Sequence, residues 1–239
     1  MKKSIKILVL SIASLMILLC VSVGGTVIDG YNKYKEVISS ISLEEKVNEI
    51  KSDKDYTSIE KIDKDFLDGI VSVEDHRFYK HGGLDFISIL RATINNVVEG
   101  KIVQGGSTIT QQLAKNLYLD SDKNLSRKIS EVFLANNLEK SYSKDEILEM
   151  YVNIINYGDN YIGIKEASEG YFGTEPNNLD LNEASILAGL PQSPNGYALS
   201  SHYNKAMARQ KVVLEAMNKN DVLEHSNEYY VLGDVDYRI

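Results

Sequence analysis

Residues 66 to 83 read FLDGIVSVEDHRFYKHGG, an apolar run that closes with two adjacent acids. Its apolar residues follow the three- and four-residue spacing of a buried helix face: Phe66, Leu67, Ile70, Val71 and Val73. Glu74 and Asp75 then fall at the C-terminal end of the predicted helix, where the helix dipole disfavours anions. The acid pair is either a solvated helix end with a partner such as Arg77 or part of a functional site.

The same helical spacing continues over most of the chain. From about residue 57 to residue 220 no clear alternating strand pattern occurs, and all three prolines fall in later loops. A length of 239 residues with 43% apolar residues is enough for one medium-sized domain with a real core. We therefore predict one mostly α domain over residues 57–220, followed by a short tail, 221–239.

Charge and cysteine content exclude several classes of protein. A formal net charge of −8 argues against a general nucleic-acid binder, because phosphate contacts need clustered Lys and Arg. The only cysteine, Cys20, lies in the apolar N-terminal run. A disulfide framework and a thiolate metal site are both excluded.

The N-terminus reads MKKSIKILVLSIASLMILLCVSVGGTVIDG. Residues 7–28 carry no charge and are long enough to span a hydrocarbon core of about 30 Å at about 1.5 Å per residue. The lysines of residues 1–6 predict a cytoplasmic N-terminus, a single membrane-spanning anchor and an extracytoplasmic domain. The alternative is a cleaved signal peptide, although no convincing A-x-A-like site is present. Residues 29–56 would form a stalk, with a helix opened by the capping box of Ser42 and Glu45.

A second stretch, QGGSTITQQLAKNLYL at residues 104–119, combines a glycine turn with a helix start. Thr108 and Gln111 fit a capping box, and an apolar stripe follows. Gln111 and Lys115 would project from the side opposite that stripe. A glycine turn, a helix N-terminus and a lysine can together bind an anion, although the G-K-[ST] element of a Walker loop is missing. The alternative is an ordinary capped helix with a wet face.

A third stretch, LSRKISEVFLANNLEK at residues 125–140, places Arg127 and Glu131 one helical turn apart. A surface ion pair is the usual interpretation of this spacing. However, apolar residues occupy two faces of this helix, and a helix that is apolar on two faces is packed on two sides. The ion pair is therefore predicted to be partly buried, which makes it a candidate site.

Two short motifs invite interpretations that the rest of the sequence rejects. His76 and His81 do not have the H-E-x-x-H spacing of a zinc site, and each is predicted to be a hydrogen-bonding structural histidine. Ser141 to Lys144 spells the S-x-x-K of penicillin-reactive serines, but the partner motifs are absent. Ser143 and Glu146 form the capping box of the next helix, which explains these letters better.

Five ordered motifs now resemble a known family, the family 51 glycosyltransferases that polymerise peptidoglycan. The motifs are EDHRFYKHGG, GGSTITQQLAKN, RKISE, KDEILEMYVN and RQKVVLEAM. The small size resembles the monofunctional biosynthetic transglycosylases, which lack a penicillin-binding domain. The resemblance implies a lysozyme-like, mostly α fold with two lobes on a single N-terminal transmembrane helix. It also implies transfer of lipid II units onto a growing lipid-linked glycan, with inversion and release of undecaprenyl pyrophosphate.

The resemblance implies a role for each residue that matches a family motif. It makes Glu74 the general base and places Glu131 near the pyrophosphate or its metal ion. Cations and polar groups would bind the donor and its leaving group: Lys115, Lys123, Arg127, Ser107, Gln111 and Gln112. Four further residues would support them: Asp75, His81, Asn116 and Lys128. No cofactor is obligatory, and the family pattern allows a divalent cation, Mg or Mn, at the pyrophosphate.

The implied partners are lipid II, the growing strand, the bacterial membrane and the cell-wall synthesis machinery, without nucleic acid. One departure from the family pattern is Gln210, which follows Arg209 where a second arginine is common. We interpret this position as one of lobe packing. Two other functions remain open, a lysozyme-like hydrolase and an inactive tethered binding protein. Neither has an obvious use for the cations of residues 115–128 together with both glutamates.

Overall fold

The computed structural model describes residues 22–101, 105–119 and 124–223 of the chain. Within these ranges the protein is helical, and the only β-structure is an isolated bridge between Asn156 and Ile162. The predicted mostly α fold is confirmed. The finer expectation of a lysozyme-like fold with two lobes stays a prediction.

Eleven α-helices occur in the described ranges. They are α1 (22–40 in its described part), α2 (Leu43–Lys51), α3 (Lys64–Glu74), α4 (Phe86–Glu99), α5 (Ile109–Tyr118), α6 (Leu125–Ser141), α7 (Lys144–Ile154), α8 (Ile164–Phe172), α9 (Leu181–Gly189), α10 (Pro194–Tyr197) and α11 (Leu199–Lys219). Short 3₁₀ helices lie at Ile59–Lys61, Phe78–Lys80 and Leu190–Gln192.

Side-chain caps explain where several of these helices begin. The predicted capping boxes of Ser42 with Glu45, Thr108 with Gln111, and Ser143 with Glu146 are all present and open α2, α5 and α7. In each, the cap side chain accepts a hydrogen bond from the backbone N–H three residues on. The structural interpretation of the S-x-x-K letters is thereby confirmed.

The helices form two packed groups that share one hydrophobic core. α3 packs against α9 and α11, and α5 packs against α6 and α7. The apolar stripes predicted from sequence face this core, with Phe66, Ile70, Ile109 and Leu113 fully buried. The two groups bring the C-terminal end of α3 next to the start of α5, so Glu74 lies where the groups meet.

α6 is packed on two sides, as its two apolar faces predicted. Leu134 and Leu138 are buried in the core, while Phe133 contacts Tyr31 and Tyr34 of α1. Arg127 and Glu131 lie on the same helix face as Leu134 and Leu138, and they are withdrawn from solvent although they are charged. The prediction of a partly buried ion pair is confirmed.

The segment predicted as a stalk contributes to the core. Val47 of α2 is 2% exposed, and Tyr56 donates a hydrogen bond to Glu149 Oε1 of α7 at 2.8 Å. The boundary near residue 56 stays a prediction. Within the described ranges, no helix has both the length and the apolar character needed to cross a bilayer. Residues 1–21, which include most of the predicted anchor, and the tail from 224 onward lie outside the described residues.

Candidate active site

A cavity of about 710 Å³ lies where α3, α5, α6 and α11 meet. It is lined by eight of the residues singled out from sequence: Glu74, Asp75, Ser107, Gln112, Lys115, Arg127, Lys128 and Glu131. These residues come from separate motifs, which the fold brings to one surface. Lys123, also expected here, lies outside the described residues.

Glu74 occupies the end of α3 and faces this cavity. The helix ends directly after it, because Asp75 takes a non-helical backbone conformation with φ −156° and ψ 69°. The side chain of Glu74 is 11% exposed, and each carboxylate oxygen accepts one hydrogen bond. The donors are Gln112 Nε2 at 2.9 Å to Oε2 and Arg209 Nη2 at 3.3 Å to Oε1. Each oxygen keeps a lone pair that can accept a proton.

The orientation of the Gln112 amide is set by Tyr151. The Tyr151 hydroxyl donates to Gln112 Oε1 at 3.1 Å, so that the amide nitrogen points at Glu74. Complete burial raises the pKa of Tyr151 well above its usual range, which keeps this hydroxyl protonated. Tyr151 is fully buried in α7 and does not line the cavity, so it acts on Glu74 only through Gln112.

Arg209 is a site residue that our sequence interpretation missed. The sequence interpretation gave Arg209 no role at the site, but its guanidinium forms an ion pair with Glu74, and its side chain is 8% exposed. Burial lowers the pKa of Arg209, and the charge of Glu74 opposes that shift. Gly189 makes room for this side chain, because a Cβ there would lie 2.9 Å from Arg209 Cγ. The signal available in sequence was its place as the first residue of the fifth motif, RQKVVLEAM.

Gln210, the next residue, does serve packing between helices. Its amide nitrogen donates to Asn182 Oδ1 of α9 at 2.6 Å and to Ser185 Oγ at 3.1 Å. Gln210 replaces the second arginine of the family pattern at a position where the side chain joins α11 to α9. The interpretation of Gln210 as a packing residue is therefore confirmed.

Asp75 and His81 form a buried pair behind Glu74. His81 Nε2 lies 2.8 Å from Asp75 Oδ1, and the backbone N–H of Ile109 donates to Asp75 Oδ2 at 3.1 Å. Burial works against protonation of His81, but hydrogen bonds to Asp75 and the Gly82 carbonyl outweigh it and raise the His81 pKa. Asp75 thus ties the end of α3 to the start of α5, and its supporting role at the site stays a prediction.

On the other side of the cavity, cations surround Glu131. Arg127 Nη1 contacts Glu131 Oε1, and Lys128 Nζ lies 2.7 Å from Glu131 Oε2 and 2.7 Å from Ser107 Oγ. Glu131 itself is 2% exposed and is therefore held by charge-assisted contacts on both oxygens. The Arg127 Nε atom is buried without a hydrogen-bond partner in the described structure. An unsatisfied buried donor of this kind is available to a ligand oxygen.

Three further cations that line the cavity, Lys115, Arg91 and Lys219, have no carboxylate partner among the described residues. Lys115 is half-buried; burial lowers its pKa, and Glu131 opposes that shift. Arg91 of α4 contacts the ring nitrogens of His76 at 3.3 and 3.5 Å, and its buried Nε is unpaired. Burial and the Arg91 charge lower the pKa of His76. Arg91 was missed from sequence because it lies outside the quoted motifs.

Three predicted site residues do not line the cavity. Gln111 is 2% exposed and accepts a hydrogen bond from the Thr108 backbone at 3.1 Å, so it closes the capping box. The expectation that Gln111 projects from the wet face beside Lys115 is wrong, because capping turns its side chain back onto the chain. Asn116 is exposed, and His81 is the buried partner described above.

The described residues contain one group that could be considered for a metal ion: Asp75, His81 and Asp85. Its oxygens are already occupied. Asp85 caps α4 through Ile87 and Ser88 and pairs with Arg77 at 3.0 Å. Although burial raises the Asp85 pKa, these hydrogen bonds and the Arg77 charge bring it down to about 2. The cluster therefore fits a structural network better than a metal site, and the divalent cation at the pyrophosphate stays a prediction.

Comparison with known proteins agrees with this arrangement. The sequence profile of the Transglycosylase family matches residues 42–218, well over half of the chain. The chain belongs to the transglycosylase family. The resemblance read from the five motifs is confirmed, and the family match begins at the capping residue of α2.

Relatives of this transglycosylase include larger bacterial proteins. This chain is 44% identical over 161 residues to penicillin-binding protein 1F of Bacillus subtilis, and the matched region covers 67% of this chain and 22% of the relative. Penicillin-binding protein 1A of Aquifex aeolicus is 44% identical over 162 residues, covering 68% and 22%. Penicillin-binding protein 1A/1B of Bacillus subtilis is 39% identical over 197 residues, covering 82% and 21%. The chain thus spans about a fifth of the length of these relatives.

Proposed function

We propose that this transglycosylase is a peptidoglycan glycosyltransferase that polymerises lipid II into β-1,4-linked strands and releases undecaprenyl pyrophosphate. The observation that carries the proposal is one cavity with an oriented carboxylate, Glu74, on one side and a group of cations on the other. A proton acceptor and an anion-binding surface are what glycosyl transfer from a pyrophosphate requires.

In this reaction the 4-hydroxyl of the acceptor sugar attacks the anomeric carbon of the donor. As the new C–O bond forms, the hydroxyl proton passes to Glu74, and the bond to the pyrophosphate oxygen breaks with its electron pair. Attack opposite the leaving group inverts the anomeric centre. Gln112 and Arg209 hold the Glu74 carboxylate from both oxygens, which fixes the direction in which it receives the proton.

The leaving pyrophosphate takes up negative charge as the bond breaks. Cations whose charge is not already balanced stabilise it most, and Lys115 and Arg91 satisfy that condition in the described structure. Arg127 adds its unpaired Nε, although its charge is shared with Glu131. Ser107 and the adjacent glycine loop offer hydrogen bonds near the start of α5. Because these groups are held before the reaction, they need little reorganisation as charge develops.

The membrane is the proposed location of the reaction. α4 exposes an apolar face next to the cavity: Phe86, Ile87, Leu90, Ile94 and Val97 are 53–75% exposed. The same helix carries Ser88 and Arg91 on the cavity side. A face of this kind suits the bilayer surface, from which lipid-linked substrates would enter the site. With the predicted anchor, this face supports a domain that lies on the membrane, and we propose that it works on the extracytoplasmic side with the cell-wall synthesis machinery.

One assay separates the proposal from the two other functions. Detergent-solubilised protein is incubated with labelled lipid II, and both polymer and released pyrophosphate lipid are quantified. The proposal predicts that both products rise together. In a parallel incubation with preformed glycan, a lysozyme-like hydrolase would instead shorten the glycan, whereas a binding protein would leave both lipid II and glycan unchanged. Either of these results would overturn the proposed function.

A further inference from the structure

α1 lies directly on α6, the helix that carries Arg127 and Glu131. Gly30 of α1 is buried at the contact. A Cβ at this position would be 2.6 Å from Ile129 Cβ and 2.8 Å from the backbone oxygen of Ser126. Because real Cβ atoms do not approach so closely, any larger residue must push the helices apart or turn one of them.

The contact continues for two more turns of α6. Tyr31 and Tyr34 stack around Phe133 with ring centroids 5.2 and 5.6 Å apart. Asn137 Nδ2 donates a hydrogen bond to the Tyr34 hydroxyl at 2.7 Å. The contact surface therefore begins beside Ser126 and ends near Asn137, and together with the packing of α6 on α5 it fixes the rotation of α6 about its own axis.

The cavity side of α6 depends on that rotation. Ser126, Ile129 and Phe133 face α1, whereas Arg127 and Glu131 lie about 100–160° around the helix from them, because successive residues are about 100° apart. A helix transmits a push as a nearly rigid body. A shift at Ile129 therefore moves the charged residues that line the cavity.

We propose that Gly30 is a positioning residue, which seats α1 against α6 and thereby holds Arg127 and Glu131 toward the pyrophosphate. The inference rests on the proposed function for the identity of the anion. It makes the segment next to the predicted membrane anchor part of the site architecture, in addition to any role in tethering.

Gly30→Ala tests the proposal, with Gly25→Ala as the matched control. Both residues lie in α1, and alanine raises helix propensity by about 1 kcal/mol at either. Nothing lies within 4 Å of a Cβ at Gly25. We expect Gly30→Ala to lower the kcat of lipid II polymerisation about fivefold or more and Gly25→Ala to stay within about twofold.

A double-mutant cycle separates positioning from a general loss of structure. In an Arg127→Gln background, Gly30→Ala should cause less than about a twofold further loss, because the displaced contact is already gone. A second readout needs no turnover: calorimetric binding of geranylgeranyl pyrophosphate should weaken about threefold with Gly30→Ala and remain unchanged with Gly25→Ala. If wild-type protein binds this probe but does not polymerise, the proposed function fails while the positioning role is still tested.

A gentler pair of variants covers the case in which Gly30→Ala does not fold, as judged by circular dichroism. Tyr34→Phe removes only the hydroxyl that accepts from Asn137, and Tyr31→Phe removes a hydroxyl on the same face as its control. Tyr34→Phe should weaken probe binding about twofold, and Tyr31→Phe should not. If Gly30→Ala and Gly25→Ala both fold and have equal kcat and probe affinity, the proposal is wrong. If Gly30→Ala does not fold, equal probe affinity of Tyr34→Phe and Tyr31→Phe would overturn it. An equal decrease in kcat on adding Gly30→Ala to wild type and to Arg127→Gln would also overturn it.

Discussion

Glu74→Gln distinguishes the catalytic role of the Glu74 carboxylate from its contribution to folding. The substitution keeps the shape of the side chain but removes the proton acceptor. Loss of a general base slows a reaction by about 10²–10⁴-fold, or about 3–5 kcal/mol of barrier at about 1.4 kcal/mol per factor of ten. The hydrogen-bond partners of Glu74 indicate how much the same substitution lowers the stability of the domain.

Two neighbours, Gln112 and Tyr151, can adapt to the new amide. With its oxygen toward Arg209, the amide nitrogen would face Gln112 Nε2, and two donors would meet. Gln112 can turn its amide over, provided that Tyr151 then accepts a hydrogen bond where it now donates one. Neutralising Glu74 also leaves the buried charge of Arg209 without its carboxylate partner, so we expect a cost of about 3 kcal/mol, still below the 5–15 kcal/mol that stabilises a typical domain. The domain should stay folded at 25 °C.

The assay is initial-rate polymerisation of labelled lipid II, with the thermal unfolding midpoint measured on the same preparation. We expect turnover to fall to a hundredth or less, with an unfolding midpoint about 6–12 °C lower. Asp68→Asn is the matched control, because Asp68 lies on the same helix but pairs with Lys64 at the surface. Retention of more than about a tenth of wild-type turnover by Glu74→Gln would remove Glu74 from the role of base.

Three other predictions concern the cations, the buried histidine and the topology. Lys115→Met and Arg127→Gln should each lower turnover about tenfold or more. Lys140 is an exposed cation outside the cavity, so the control Lys140→Met should leave turnover almost unchanged. Similar rates for Lys115→Met and Lys140→Met would contradict the anion-binding role. Folding raises the pKa of His81, so protonated His81 stabilises the folded protein. This contribution to the free energy of unfolding is complete below the pKa that His81 has in the unfolded chain, and it is lost as pH rises through the pKa of His81 in the folded protein. The gap in unfolding midpoint between wild type and His81→Gln should thus be widest near pH 5.5 and narrow toward pH 8.5, and a gap independent of pH would refute the assignment. A reporter fused after Ile239 should be extracytoplasmic, and a mature N-terminus near residue 25 would instead indicate a cleaved signal peptide.

The exposed apolar face of α4, which we propose contacts the membrane, could be predicted only in part from the sequence. The apolar face of α4 follows from helical periodicity that is visible in the letters ISILRATINNVV, but its exposure is a property of the fold. An apolar stripe predicts only that something covers it. In α5 the stripe is covered by the core, and in α4 the described part of the chain leaves it open.

The sequence by itself determined the helices, their capped starts and the motif residues around Glu74 and Glu131. These features depend on local rules, because helix caps and apolar periodicity act over three to seven residues. Family motifs added the chemistry, since they keep reactive residues in a recognisable order. Even the burial of the Arg127–Glu131 pair could be predicted, because the helix around it is apolar on two faces.

Only the tertiary structure decided which distant groups act on the site. Arg209 and Glu74 are 135 residues apart, and Tyr151 reaches Glu74 only through Gln112. Gln111 and Gln112 are adjacent in sequence, yet one closes a helix cap and the other holds the base. No local rule distinguishes such neighbours. Their roles depend on which direction each side chain takes once α3, α5, α7 and α11 are packed, and that packing is set by the summed burial of the core.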